Sequence, residues 1–462
     1  MQLKRKARRR TAATGDVGAA LATATCALLG TSAPGAAIAQ EIGEWQVDTA
    51  GFYYGESDGR VQDLSFNVLA RTQASEDKFL SLTFTLDSLT GASPNGAAPS
   101  ASPQTFPRPI TLTRTSGGSV ATGGGNFTIA PGELPVDSSF QDRRFAGSAD
   151  WQRPMGRLGL VSFGGSVSSE HDYTHLGVDT RVARDFNTRN TTLSAGLAWS
   201  DDTVKPVGGT PVAFSALTGS DPSAVPPVPF EDDDGGGSSN ESKHVLDLLL
   251  GLTQVLTRHT IVQLNYSLSR SNGYLTDPYK ILSVVDPVTG DLAPGPDPGI
   301  GLYLYENRPD TREKQSVYGL LKHDFNGNVL DASYRFMTDD WGVDSQTIDT
   351  HFHWDLGAGR FLEPHLRFYS QTAASFYHTV LFDGAPLPSY ATADYRLGEF
   401  DAVTIGLKYG QKTTAGQFTT RVELYRQSAK PSPEALVGSL STLDLTPDLT
   451  ALIAEISYRF SW

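Results

Sequence analysis

Sixteen segments of this chain alternate apolar with polar residues at a period of two, and every long link between them follows an odd-numbered segment. The segments read 45–57, 60–71, 78–88, 142–153, 156–170, 173–185, 190–201, 243–256, 258–271, 312–325, 327–340, 343–356, 361–375, 398–411, 415–428 and 449–462. In a strand, such alternation puts one residue set on each face. Leu80, Leu82, Phe84 and Leu86 thus oppose Ser81, Thr83, Thr85 and Asp87. Ile348, Phe352, Trp354 and Leu356 oppose Thr347, Asp349, His351, His353 and Asp355. The long links, 89–141, 202–242, 272–311, 376–397 and 429–448, all follow odd-numbered segments. Even-to-odd links are short, as at Thr257, Asn326 and Gly357 to Arg360. A missed or invented strand would scatter long loops to both sides.

Short turns at one end and long loops at the other are the asymmetry of transmembrane antiparallel up-and-down β-barrels of the outer membrane. The expected fold is therefore all-β, a single barrel over 40–462 with about sixteen strands, short periplasmic turns and long extracellular loops. The last segment agrees. Leu452, Ala454, Ile456, Tyr458, Phe460 and Trp462 alternate with Ile453, Glu455, Ser457, Arg459 and Ser461. A C-terminal Tyr-x-Phe-x-Trp strand resembles the closing strand of such barrels. The six tryptophans fall near segment ends: Trp45, Trp151, Trp354 and Trp462 at one expected rim, Trp199 and Trp341 at the other. Indole favours the headgroup zone, so these are the candidate membrane-interface aromatics, and outer-membrane lipid and lipopolysaccharide are the expected surroundings. A secreted β-sandwich or propeller is the soluble alternative, but no fixed-length repeat supports a propeller.

Residues 1–39 read as a signal peptide, with basic Lys4, Arg5, Lys6, Arg8, Arg9 and Arg10, an apolar Gly18 to Gly30, and Ala37-Ile38-Ala39 for cleavage. Its removal takes away six basic residues and Asp16, moving the formal net charge from −14 to −19. An exported acidic chain is a poor partner for nucleic acid. Cys26, the only cysteine, lies inside the expected signal, so the mature chain would have no disulfide or thiolate ligand. No segment approaches the eighteen or so uninterrupted apolar residues of a membrane helix.

Loops 91–137 and 202–242 are rich in Gly, Ser, Pro and Ala, and Glu231-Asp232-Asp233-Asp234 reads as a solvated run. Loop 272–311 differs: it holds Gly273-Tyr274-Leu275-Thr276-Asp277-Pro278-Tyr279-Lys280 and Glu306-Asn307-Arg308-Pro309-Asp310-Thr311-Arg312. With Gly91-Ala92-Ser93-Pro94-Asn95-Gly96 and Asn187-Thr188-Arg189-Asn190-Thr191-Thr192, these strings resemble an uncharacterised Gram-negative exported family, domain of unknown function 3570, over nearly the whole mature chain. The resemblance implies no catalytic residues. It does imply a periplasmic or lipoprotein partner.

Asp277, Tyr279, Lys280, Glu306, Arg308, Asp310 and Arg312 are the candidate loop constriction, either setting the lumen's narrowest point or merely bracing the mouth. Inward faces supply a mixed-sign lumen wall: His351, His353, Glu363, His365, Arg367, Lys408, Arg421, Glu423, Glu455 and Arg459. The three histidines with Glu363 have the donor chemistry of a transition-metal site. A wet wall explains them without one, so neither metal nor cofactor is expected. No serine-histidine-acid constellation can be picked out, and an enzyme is not expected. Passage of a small solute or peptide is the leading expectation, with a loop-plugged docking barrel as the alternative and an outer-membrane enzyme third.

Overall fold

The computed structural model describes residues 42–462 except 92–93, 108–109, 116–117, 124–125, 137–140, 207–208, 219–239, 433 and 435. The expected signal peptide and the acidic run 231–234 lie outside the described residues. Sixteen strands form the wall: β1 Trp45–Glu56, β2 Gln62–Ser75, β3 Lys78–Thr90, β4 Gln141–Pro154, β5 Gly159–Ser169, β6 Tyr173–Phe186, β7 Thr191–Val204 and β8 Glu241–Thr257. They continue as β9 Thr260–Gly273, β10 Thr311–Phe325, β11 Asn328–Asp339, β12 Asp344–Gly357, β13 Arg360–Gln371, β14 Phe400–Thr413, β15 Gly416–Ala429 and β16 Leu449–Ser461. Each pairs antiparallel with its sequence neighbours, and β16 pairs with β1, from Gln46↔Ser461 to Glu56↔Ala451, to close the barrel. No helix of the described residues is long and apolar enough to cross a membrane.

The two faces are chemically opposite. Leu82, Phe84, Leu193, Leu197, Ile348, Phe368, Ile405, Val422, Leu452 and Ile456 project outward and exposed. Asp349, Glu363, His365, Glu423 and Thr404 are buried on the inner face. Polar inside and apolar outside inverts the arrangement of a soluble barrel, and closure leaves no unpaired sheet edge.

Register at the short-turn end shows how the alternation is kept in phase. Gly357 pairs with Arg360, a count that would set inward residues of β12 against outward ones of β13. A slip of one residue flips every side chain to the other face. A bulge between Asp355 and Gly357 restores phase, so that inward His351 faces inward His365. Similar irregularities precede the turns into β3 and β9, at Gln73/Ser75 and Val255/Thr257. The β10–β11 turn needs none: Asn326 and Gly327 both take positive φ, 56° and 100°, as a tight two-residue hairpin requires.

The tryptophans divide. Trp151, Trp199, Trp354 and Trp462 are exposed near strand ends, and Trp45 hydrogen-bonds Trp462 through both backbone groups at 2.8 Å. Trp341 departs from the expectation. It lies at the rim but is only 4% exposed, donating Nε1–H to the Thr311 carbonyl at 2.8 Å and packing on Phe376, with Arg312 over its ring. A rim indole can serve loop or lipid, and here the β13–β14 link supplies the apolar surface.

Candidate functional site

The long links meet at one end of the barrel, and 274–310 is their hub. Ile281 N–H donates to Asn95 O of the β3–β4 link at 2.9 Å, and Leu217 N–H of the β7–β8 link donates to Tyr303 O at 2.8 Å. The short strand Ile281–Val285 pairs with Tyr303–Tyr305 and, in parallel, with Leu381–Phe382 of the β13–β14 link. Ser439 N–H of the β15–β16 link donates to Thr289 O at 2.8 Å. The β7–β8 and β15–β16 links leave opposite sides of a sixteen-stranded wall. Loops from facing sides that share one packed body must lie across the mouth. Apolar clusters drawn from several links, such as Ala97, Phe106, Ile281, Ile300 and Tyr303, hold that body together.

Within it sits an ionic cluster. Arg308 lies 2.6 Å from Glu306 Oε1 through Nε, and its Nη2 donates to Asp394 Oδ2 at 2.9 Å. Arg396 grips the same carboxylate, with Nε 2.8 Å from Oδ1, and donates from Nη2 to Asp277 Oδ2 at 3.0 Å. Glu306 also accepts from the Asp277 backbone N–H at 2.6 Å and from Thr392 Oγ1. Lys280 donates to the Pro94 carbonyl and lies over the Tyr395 ring, which Arg60 of the β1–β2 link approaches at 5.6 Å. Glu306 and Asp394 are each 1% exposed and Lys280 3%. Charges removed this far from water persist only when paired.

Ionisation follows from the placement. Burial raises the Glu306 carboxyl to about 7, against the pull of Arg308. Burial acts the same way on Asp394, but Arg396, Lys280 and Arg308 together hold it well below the usual carboxylate range. Burial lowers the Lys280 ammonium. Asp394 is the fixed anion of the cluster, and Glu306 is its titratable one.

Of the seven loop candidates, Asp277, Lys280, Glu306 and Arg308 come together here. Tyr279 instead hydrogen-bonds Asp172 of the β5–β6 link. Arg312 pairs with Asp339 on β11. Asp310 is exposed and contributes its carbonyl to Gly273 N–H at 2.8 Å, so it does not belong to the cluster as the sequence suggested. Asp394, Tyr395 and Arg396 were missed. Their Ala393-Asp394-Tyr395-Arg396-Leu397 string carries the same mixture of charge and aromatic that marked 306–312.

On the inner wall, Arg421 pairs with Glu455 at 2.5 Å and approaches Glu423 at 3.5 Å, and Arg459 pairs with Asp48 at 2.5 Å. Lys408 lies opposite Glu363 in register and over the Phe361 ring. Arg367 lies opposite Asp349 and beside the Tyr369 ring. His353 Nδ1 is 3.6 Å from Glu363. His351 and His365 stack, centroids 4.1 Å apart, with Asp349 at their edge.

A closed wall that is apolar outside, polar within and paired throughout defines a transmembrane β-barrel of the outer-membrane type. The chain belongs to the family described as protein of unknown function (DUF3570), whose model matches residues 18–460. No curated protein matches the chain. Among solved structures it is similar to a mutant ferric enterobactin receptor, PfeA, from Pseudomonas aeruginosa, with 8% identity and TM-score 0.41. The alignment covers 90% of this chain and 60% of the receptor, so this chain spans well short of that protein's length. It is also similar to the outer membrane protein opdK from Pseudomonas aeruginosa, with 8% identity, 91% and 99% coverage, and TM-score 0.36. A bacterial polysaccharide outer membrane secretin gives 7% identity, 90% and 98% coverage, and TM-score 0.39.

Proposed function

We propose that this barrel sits in the outer membrane, with its short turns and both termini periplasmic, and passes a small solute or peptide through a lumen gated by its own external loops. The observation that carries this reading is the ionic cluster of Asp277, Glu306, Arg308, Asp394 and Arg396, which joins two separate links across the mouth. Purely structural bracing could be apolar throughout at less cost, because burying an ion pair forfeits hydration that attraction barely returns. A buried carboxylate poised to titrate near neutrality suits a contact that must also release. The mixed-sign wall below suits a hydrated path. The protein acts without catalysis, and a periplasmic or lipoprotein partner would engage the short-turn end. Single-channel recording of the purified barrel in planar bilayers tests this. Stepwise currents that increase when Arg308 is removed support a gated passage. A silent barrel in both forms supports the docking alternative.

A further inference from the structure

We propose that His351, His365 and Asp349 on the lumen wall form a binding site for one divalent transition-metal ion, of the kind represented by Zn²⁺ or Co²⁺. His351 Nε2 lies 2.9 Å from Asp349 Oδ1, and His365 Nε2 lies 3.4 Å from the same oxygen. The three ligand atoms lie within 4.8 Å of one another. Two imidazoles and one carboxylate are a donor set that late first-row divalent ions favour, leaving further positions for lumen water.

The surroundings are built for this rather than merely polar. His365 is 6% exposed, and its Nε2 makes no hydrogen bond. Its other nitrogen, Nδ1, is held by Glu423 Oε1 at 2.8 Å. A carboxylate on Nδ1–H fixes the tautomer whose Nε2 lone pair is free to ligate, and makes it more basic. His351 repeats the arrangement more loosely, with Glu363 Oε1 3.7 Å from its Nδ1.

Glu423 reaches His365 across an entire strand. In register, His365 on β13 faces Gly406 on β14, which faces Glu423 on β15. A Cβ at Gly406 would stand 2.6 Å from Glu423 Cγ and 3.1 Å from its Oε1. The missing side chain is the gap through which the carboxylate passes. Gly406 adopts ordinary strand geometry, so packing rather than backbone freedom accounts for it. Charge agrees in sign: carboxylates of Asp349, Glu363, Glu423 and Glu455 surround the pair, against cations from Lys408, Arg421 and Arg367.

The test is Zn²⁺ titration of the purified full barrel in detergent against a chromophoric chelator, with Co²⁺ visible absorption as a second readout. One Zn²⁺ per chain and a Co²⁺ ligand-field band are expected. Both should vanish in the double variant His351→Ala/His365→Ala, with folding checked by the barrel's heat-dependent migration in gels. Gly406→Ala and Glu423→Gln leave all three ligands in place, and each should weaken Zn²⁺ roughly 10- to 100-fold. No stoichiometric binding by the wild-type barrel, or binding unchanged in the folded double variant, would overturn the site. Unchanged affinity in both Gly406→Ala and Glu423→Gln would overturn the positioning role of Glu423.

Discussion

Removing the Arg308 side chain should open the loop body without harming the wall. Arg308→Ala deletes contacts to two buried carboxylates, Glu306 at 2.6 Å and Asp394 at 2.9 Å. Asp394 keeps Arg396 at 2.5 Å, so its loss is partly covered. Glu306 keeps Thr392 and the Asp277 amide but loses its closest cation. Breaking a buried pair from one side costs about 3–5 kcal/mol, and the retained partners argue for the lower end, about 3 kcal/mol at neutral pH. That corresponds to an open-loop population about a hundredfold larger. The reporters are backbone amides that close the loop body: Asp277 N–H, which donates to Glu306, and the reciprocal Asn307–Ala391 pair at 3.0 and 2.9 Å. Hydrogen exchange at these amides reads the change directly. The deficit should also depend on pH. Glu306 has a folded pKa raised from 4.5 to about 7, so its neutral form favours the closed loops. That contribution is complete below 4.5 and lost as pH rises through 7. Without Arg308 an ionised Glu306 is worse placed, so the deficit should be larger at pH 8 than at pH 5.5. Asp394 titrates too low to disturb this window. Arg426→Ala serves as control, because its pair with Asp448 is largely exposed. Unchanged protection in Arg308→Ala at both pH values, or a loss equal to that of Arg426→Ala, would refute the reasoning.

The wall gives two further expectations. Leu82→Arg, on the lipid face of β3, should cost about 2–4 kcal/mol in reversible folding into vesicles, while Thr83→Arg, facing the lumen, should cost far less; equal effects would mean the alternation is misread at that strand. Deleting Tyr458 to Trp462 removes the pairs from Thr49↔Tyr458 to Gln46↔Ser461 and the Arg459–Asp48 contact, so the barrel should fail to close and its yield in the outer membrane should collapse.

Most of the wall was legible in the sequence because a sheet with two chemically different faces writes its register into a period of two. Each of the sixteen segments became a strand, with ends displaced by a few residues where bulges and turns absorb the phase. The loop body was legible only in part. Loop 272–311 announced itself by fixed charges among prolines and aromatics, but its partner Asp394 lies 86 residues from Arg308, and no periodicity links loops that meet only in space. Trp341 was misassigned for the same reason, since whether a rim indole meets lipid or protein depends on where a distant loop folds. Asp349 was visible on the histidine face, yet its approach to His365 depends on the bulge at Asp355/Gly357.

Paired single-channel recordings of the wild-type barrel and Arg308→Ala in planar bilayers test the gating claim most directly. The account predicts that the wild type is mostly closed, with brief steps, and that Arg308→Ala conducts more often or with larger steps, the difference widening as pH rises from 5.5 to 8. Identical recordings from the two proteins, whether both open or both silent, would contradict it.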